Sequence, residues 1–252
     1  MEKNNLVSII MPAYNCEKYI SESITSVINQ KYTFWELIIV DDCSSDNTPN
    51  IIKNFSEADE RIKFIRLESN SGAAYTRNVA LNLSKGRFIS FLDSDDTWLP
   101  EKLAEQINYM IKNNYYFTCT NYNKIDEYGN PISHTVTTLN KYNYNSLLKY
   151  SVGNSTVIYD SKKLGKIEGT NIRKRNDYAL WLKVIKKSDY IYGFNKVLSN
   201  HRVRAHSISS NKISLIVYHW IVYRRFEQLN LFKSTYLVIF WIVSGVRKKL
   251  LK

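Results

Sequence analysis

The sequence predicts an α/β fold built on a mostly parallel sheet. Three observations carry that expectation. Four short apolar runs recur in the first half, and segments of helical period separate them. Three of those runs end in Asp residues or in a Pro-Ala-Tyr-Asn turn, so polar groups gather at one edge of the sheet. The chain has 252 residues, 44% of them hydrophobic, which is enough for a full core.

Val7-Ser8-Ile9-Ile10-Met11 reads as the first strand, ending at Pro12, which cannot donate to a central ladder. Ile20, Ile24, Val27 and Ile28 then form a helical stripe. Leu37–Val40 is the second strand, ending at Asp41-Asp42, and Asp46 is placed to cap a helix carrying Ile51, Ile52 and Phe55. Ile62–Leu67 is the third strand, and Ser69-Asn70-Ser71-Gly72 is a turn. A helix spans Thr76–Leu83 with Gly86 as its stop, and Phe88–Leu92 is the fourth strand. Right-handed crossovers between such strands give the parallel sheet. Tyr142–Tyr159, poor in Gly and rich in Asn, Tyr and Ser, reads as loop and mixed strand lining a groove.

Asp93-Ser94-Asp95-Asp96 directly follows the fourth strand. Carboxylates crowded at a strand end repel one another and are costly to bury unpaired. A divalent cation with hard oxygen ligands removes that cost, and Mg²⁺ typically takes only one or two protein carboxylates. The plainer reading is a polar turn in which Asp95 or Asp96 caps a helix beginning near Pro100. Arg175–Leu182 starts a helix with Asp177 near its N-terminus, on its face a capping acid followed by core Trp181 and Leu182.

Several classes are excluded. No Gly-x-Gly-x-x-Gly follows the first strand and no P-loop occurs, so a nucleotide here is held by side chains and metal. Cys16, Cys43 and Cys119 are scattered and odd in number, which implies reduced thiols. The four histidines lack zinc spacing. The apolar stretch Leu6–Met11 is too short for a signal-peptide core.

The net charge is +12, and Ile213–Lys252 carries seven Lys or Arg against Glu227 alone, a net +6. The same segment holds the run Leu237–Val243, far short of the roughly 20 apolar residues that span a bilayer. Two readings stay open: a segment lying in an anionic membrane interface, or a helix packed on the core with a solvated basic end. Nucleic acid is not an expected partner, because zinc-finger and ribonucleoprotein signatures are missing.

Taken in order, Val7–Asn15, Leu37–Asp42, Gly72–Asn78 and Phe91–Asp96 resemble the family 2 glycosyltransferases of GT-A fold. The likeness is close over roughly the first 110 residues and looser to about Ser209. It is strongest to bacterial enzymes that build O-antigen, capsule or teichuronic acid repeat units. The resemblance implies a three-layer α/β/α sandwich from residue 1 to 210, with a nucleotide-binding half to about 110 and an acceptor half beyond it. Residues 211–252 form a basic, apolar helical appendage.

It also implies roles. Nucleotide-sugar contacts fall on Pro12, Ala13, Tyr14, Asn15, Asp42, Arg77, Asp93 and Ser94. Tyr14 would stack on the base, Asp42 would accept from uracil N3–H, and Asp41 would anchor the loop. Arg77 would donate to the base or to Asp93, and Asp93 would hold the ribose hydroxyls. Asp95 would ligate Mn²⁺ or Mg²⁺ with the donor diphosphate. The family's base is usually the second acid of a pair; here Asn176 replaces the first, leaving Asp177. His201–Ser209 resembles the loop that closes over the diphosphate, with Arg202, Arg204 and His206 as candidates for phosphate contact. The expected function is inverting hexosyl transfer from a UDP-hexose to a sugar on a lipid-diphosphate carrier, in the cytoplasm at the inner face of the membrane. Two rivals are a sugar-nucleotide hydrolase or nucleotidyltransferase, and a non-catalytic polyanion-binding module. The nucleotidyltransferase would want a Gly-rich basic loop where Pro12–Asn15 stands, and the module has no need of Asp95 or Asp177.

Overall fold

Alternating side chains of the first strand decide the layering. In β1 (Val7–Ala13), Val7, Ile9 and Met11 face one apolar layer, and Ile10 faces the other. β1 pairs in parallel with β2 (Trp35–Asp41), which pairs with β3 (Ile62–Arg66), and on its other side with β4 (Phe88–Phe91). The connections are α1 (Ile20–Ile28), α2 (Thr48–Ala58) and α3 (Ala73–Leu83). The computed structural model describes residues 5–204 and 212–250.

The second half adds β5 (Thr97–Trp98), α4 (Lys102–Asn113), β6 (Phe117–Ile125), β7 (Pro131–Val136) and β8 (Lys141–Tyr142). α5 (Tyr144–Lys149), a 3-10 turn (Asn154–Thr156), β9 (Ile158–Asp160), α6 (Ser161–Leu164), α7 (Asn176–Ser188) and β10 (Ile191–Arg202) follow. Last come α8 (Lys212–Ile221), a π-helical turn (Val222–Phe226) and α9 (Leu231–Leu250). Among the described residues the strands form one sheet, ordered β3-β2-β1-β4-β9-β6-β10-β5, with β7 on β6 and β8 on β10. The first four strands are parallel, and so is β6 with β10; β9 enters antiparallel between β4 and β6. α1, α2 and α4 cover one face, and α3, α5 and α7 cover the other, giving three layers.

The structure extends the first strand through Pro12, which aligns with Val40 of β2. The reason lies in which edge its nitrogen faces. Ala13 O accepts from Asp42 N on the β2 side, whereas Ile10 O accepts from Leu92 N on the β4 side. Backbone groups alternate along a strand, so Pro12 turns its nitrogen toward β4, whose pairing with β1 ends at Ile10. No donor is needed there.

Three other expectations shift. α3 starts at Ala73, because Gly72, at φ +87°, turns the chain into it one residue earlier. The segment 142–159 contains a helix: the Asn143 side chain accepts from Ser146 N at 2.8 Å while Ser146 Oγ accepts from Asn143 N, and Leu147 and Leu148 are buried. Gly86 is not a helix stop, since Ser84 already ends α3. It is required instead by a close approach, for a Cβ there would lie 2.6 Å from Ser8 N and 2.7 Å from Leu6 O. Asp46 does serve the start of α2, accepting from Thr48 N at 3.0 Å.

The tail shares the core. Val222, Tyr223 and Leu237 are buried in the same cluster as Leu148, Tyr178 and Trp181. Tyr178 and Tyr223 both donate to Leu148 O, at 3.1 and 2.9 Å. No described helix is long and apolar enough to cross a membrane.

Gly86→Ala is expected to lower the unfolding free energy by about 1–3 kcal/mol, since the obstructing atoms are backbone. Urea denaturation checks this; a midpoint equal to that of the parent rules it out.

Candidate active site

The carboxyl ends of β1, β2 and β4 meet at one rim, where the acids after β4 are held by side chains from α3, the 3-10 turn and the end of β10. Asp93 Oδ1 accepts from Arg77 Nη2 of α3 at 2.7 Å and from Asn154 Nδ2 of the 3-10 turn at 2.8 Å. Arg77 also donates through Nη1 to Asn176 Oδ1 at the start of α7. One guanidinium therefore ties the end of β4 to the helix that carries Asp177. Burial raises the Asp93 pKa against the pull of Arg77, and the charges of Asp96 and Asp177 add to the rise.

Asp95 forms an ion pair with Arg204, Oδ2 to Nη2 at 2.6 Å. Burial, then the charge of Asp96, pushes its pKa up to about 7 despite Arg204. Asp96 is a structural acid. It accepts from Arg202 N at 2.9 Å and Ser155 Oγ at 2.5 Å, and His201 Nδ1 lies 3.2 Å away. Burial alone would raise its pKa, but His201, Ser155 and the Arg202 N–H outweigh burial and lower it. It caps no helix; α4 opens at Glu101 without a side-chain cap.

The loops after β1 and β2 interlock. Asn15, at φ 44°, accepts from Ser45 N at 2.9 Å and donates through its own N to Ser44 Oγ at 2.9 Å. Ala13 is buried, whereas the Tyr14 ring is 51% exposed above the rim and free to stack on a planar ligand. Asp41 accepts from Ser44 N at 3.0 Å and lies 3.6 Å from Arg66 Nε, as a loop anchor should. Asp42 accepts from Ser71 N at 2.7 Å and Gly72 N at 2.8 Å, one donor on each oxygen, which leaves each a further lone pair. Ser94 lies beside the buried Cys16.

Arg202 corrects the expectation of a phosphate contact. Its side chain is 1% exposed and fully occupied: Nε donates to Asp95 O, Nη1 to Asp126 O and Glu127 O, and Nη2 to Glu22 Oε2. It braces the rim from behind. Arg204, one third exposed and with a buried Nε that lacks a partner, is the arginine that reaches the opening. His206 lies outside the described residues.

Asp177 sits in the first turn of α7, partly exposed. The helix is entered from Arg175 at φ 61°, and its N-terminus has no side-chain cap, so Asp177 is not a capping residue. Sequence reasoning missed Asn154 and Ser155, which lie in a polar stretch with no local signal. It noted Asn176 only as a lost acid, whereas the amide is the second acceptor for Arg77.

The donor set fits a hard divalent cation with few protein ligands. Asp95 is a partly buried carboxylate whose ionisation burial opposes, with Asp93 near enough to act on it, and a cation favours the charged form of both. Among the described residues no three His, Cys, Asp or Glu are placed to hold one metal ion together, so phosphate oxygens and water would complete the shell. Asn154 Oδ1 and Arg77 Nε are also buried at the rim without hydrogen-bond partners.

Fold and rim together are those of the GT-A class of glycosyltransferases. The family model "Glycosyl transferase family 2" matches residues 8–168. The chain is 40% identical over 246 residues to a putative teichuronic acid biosynthesis glycosyltransferase, TuaG, of Bacillus subtilis, covering 97% of this chain and 98% of the relative. It is 42% identical over 247 residues to WfgD of Escherichia coli, a UDP-Glc:α-D-GlcNAc-diphosphoundecaprenol β-1,3-glucosyltransferase, covering 96% and 94%. The fold matches Staphylococcus aureus TarS 1–349 in complex with UDP-GlcNAc, with TM-score 0.73, 21% identity, and 94% and 71% coverage. It also matches the mannosyltransferase PcManGT of Pyrobaculum calidifontis in complex with GDP-Man and Mn²⁺, with TM-score 0.68, 15% identity, and 89% and 64% coverage. The chain belongs to glycosyl transferase family 2 and is a glycosyltransferase.

The charge of Asp96, together with their hydrogen bond, raises the His201 pKa to about 9 from an ordinary value near 6.5. A raised folded-state pKa contributes stability that is complete below about pH 6.5 and is lost as the pH climbs through about 9. Thermal melts should therefore show a fall over that window that His201→Gln removes. A fall of the same size in the variant would exclude His201 as its source.

Proposed function

We propose that this protein is an inverting glycosyltransferase that moves a hexose from a UDP-hexose, such as UDP-glucose or UDP-galactose, to a sugar on a lipid-diphosphate carrier. It works with Mn²⁺ or Mg²⁺ in bacterial surface polysaccharide synthesis, at the inner face of the cell membrane. The observation that carries the reading is the Arg77 bridge, which brings the acid of α7 to the metal-type acids of β4. The names of the relatives, one a UDP-Glc:α-D-GlcNAc-diphosphoundecaprenol glucosyltransferase, supply the substrate class.

In this reading residues 1–110 bind the donor. Tyr14 stacks on the uracil, and Asp42 offers its remaining lone pairs to the uracil N3–H. Pro12, Ala13 and Asn15 shape the turn below the base. Asp93, oriented by Arg77 and Asn154, accepts from the ribose hydroxyls, with Ser94 beside it. Asp95 holds the divalent cation, which when bound neutralises charge on the departing diphosphate. Arg204, released from Asp95, has a fork suited to the phosphate oxygens.

Asp177 is the base. It takes the proton from the acceptor hydroxyl while that oxygen attacks the anomeric carbon from the face opposite the diphosphate. The new carbon–oxygen bond forms as the bond to the diphosphate breaks, so configuration inverts. Arg77, by holding both Asp93 and the Asn176 amide, keeps Asp177 at the rim where the acceptor hydroxyl would arrive.

Asp177→Asn keeps the shape of the side chain but cannot accept a proton. Turnover at saturating donor and acceptor should fall roughly 10²-fold or more, with donor affinity unchanged. A variant within a few-fold of the parent would return the search to the acids of the β4 rim. Asp95→Asn should abolish the metal dependence of UDP binding measured by calorimetry and leave the melting curve close to the parent's. Equal UDP affinity in the parent with and without a chelator would sink the metal assignment.

A further inference from the structure

The outward face of α9 is apolar. Phe232, Tyr236, Ile239, Val243 and Val246 are all at least half exposed, Phe232 to 86%. They recur at spacings of three and four residues, which places them on one stripe of the helix. Ser234 and Leu237, on the opposite side, are buried against the core. A helix with its apolar stripe turned away from the core needs an occupant for that stripe.

The charges beside it say which. Lys149 Nζ lies 5.3 Å from the Tyr236 ring and 5.5 Å from the Phe240 ring. Arg224, Arg225 and Arg247 are exposed on the same segment. Its one acid, Glu227, has a side chain only 3% exposed, held by Lys186 at 2.6 Å and by the Tyr144 hydroxyl. The face is thus apolar with a basic fringe and no exposed acid from Ser214 to Arg247. That combination complements an anionic bilayer, whose headgroups take the bases while the acyl boundary takes the stripe. α9 is about 30 Å long and does not meet the requirement for crossing.

We propose that the α9 stripe lies in the interface of an anionic lipid bilayer and thereby sets the start of α7 beside the membrane. The inner side of α9 supports the second half of that statement. Trp241 lies 5.5 Å from the Arg175 guanidinium, two residues before Asp177, and 4.8 Å from the His219 ring. One helix diameter, about 10 Å, therefore separates the docked surface from the segment leading into Asp177. A sugar on a membrane-embedded diphosphate carrier would reach the base from that side; this part rests on the function proposed above.

The test uses the full chain and sedimentation with vesicles of phosphatidylcholine, alone or mixed with phosphatidylglycerol. The parent should bind the mixed vesicles. Ile239→Ser with Val243→Ser should weaken binding roughly tenfold or more, without changing the circular dichroism spectrum. Arg224→Gln and Arg225→Gln should each cost about fivefold, on mixed vesicles only. Transfer to a water-soluble sugar diphosphate should be the same in parent and variants. A parent that stays in solution, or serine variants that bind like the parent, would overturn the docking. So would a dimer in light scattering that the serine changes dissociate, because a second copy would then cover the stripe. A parent that binds vesicles but transfers no sugar to the soluble acceptor sinks the proposed function and supports the docking; the reverse pattern sinks the docking alone.

Discussion

Three carboxylates in four residues at the end of β4 are the constraint around which the site is arranged. Left to themselves Asp93, Asp95 and Asp96 would repel one another in a place water reaches poorly. The chain resolves this by giving each acid its own partners, drawn from three distant parts of the sequence. Arg77 comes from α3, Asn154 and Ser155 from the 3-10 turn, and His201, the Arg202 N–H and Arg204 from the end of β10. The rim therefore draws both halves of the sheet together, and β10 must run parallel to β6 for its last residues to arrive there. The acid left least well satisfied is Asp95, whose ion-pair partner among the described residues is a side chain reaching in from the opening. That inequality sets Asp95 apart from Asp96, both of whose carboxylate oxygens are taken by donors.

Much of the first half was legible because its signals are local. Apolar runs alternate with helical stripes, and strand ends carry acids, so order and topology follow from a short list of rules. Where the reading erred, a tertiary condition overrode a local one. Pro12 cannot donate to a ladder, yet it sits inside β1 because the partner strand stops two residues earlier. Gly86 resembles a helix stop in sequence but exists for the approach to Leu6 and Ser8. The helix α5 was hidden in a stretch of Asn, Tyr and Ser, and only its capping pair, Asn143 and Ser146, marks it.

The arginines show the limit most clearly. Arg202 and Arg204 stand two residues apart in a strand end and are equivalent by composition. Period-two alternation alone would put them on the same face, and both guanidinium groups do lie about 5 Å from the Tyr19 ring. Their surroundings diverge. Glu22 and two backbone carbonyls after β6 consume Arg202, whereas among the described residues Asp95 is the ion-pair partner of Arg204. Neither α1 nor the β6–β7 turn is near Arg202 in sequence, so no motif announces that one arginine is enclosed and the other one third exposed.

The amide at position 176 follows the same electrostatic logic. Arg77 has one charge to share, and Asp93 needs it, because burial and two neighbouring acids already push its pKa upward. A carboxylate at 176 would compete for that guanidinium and would add a further negative charge next to Asp93 and Asp177. The Asn176 oxygen accepts the hydrogen bond without drawing on the charge. Arg77 can then fix the start of α7 and still neutralise Asp93, with Asp177 as the acid of that first turn. The start of α7 is thereby held by geometry, with its acid beside Asp93 and no second carboxylate between them.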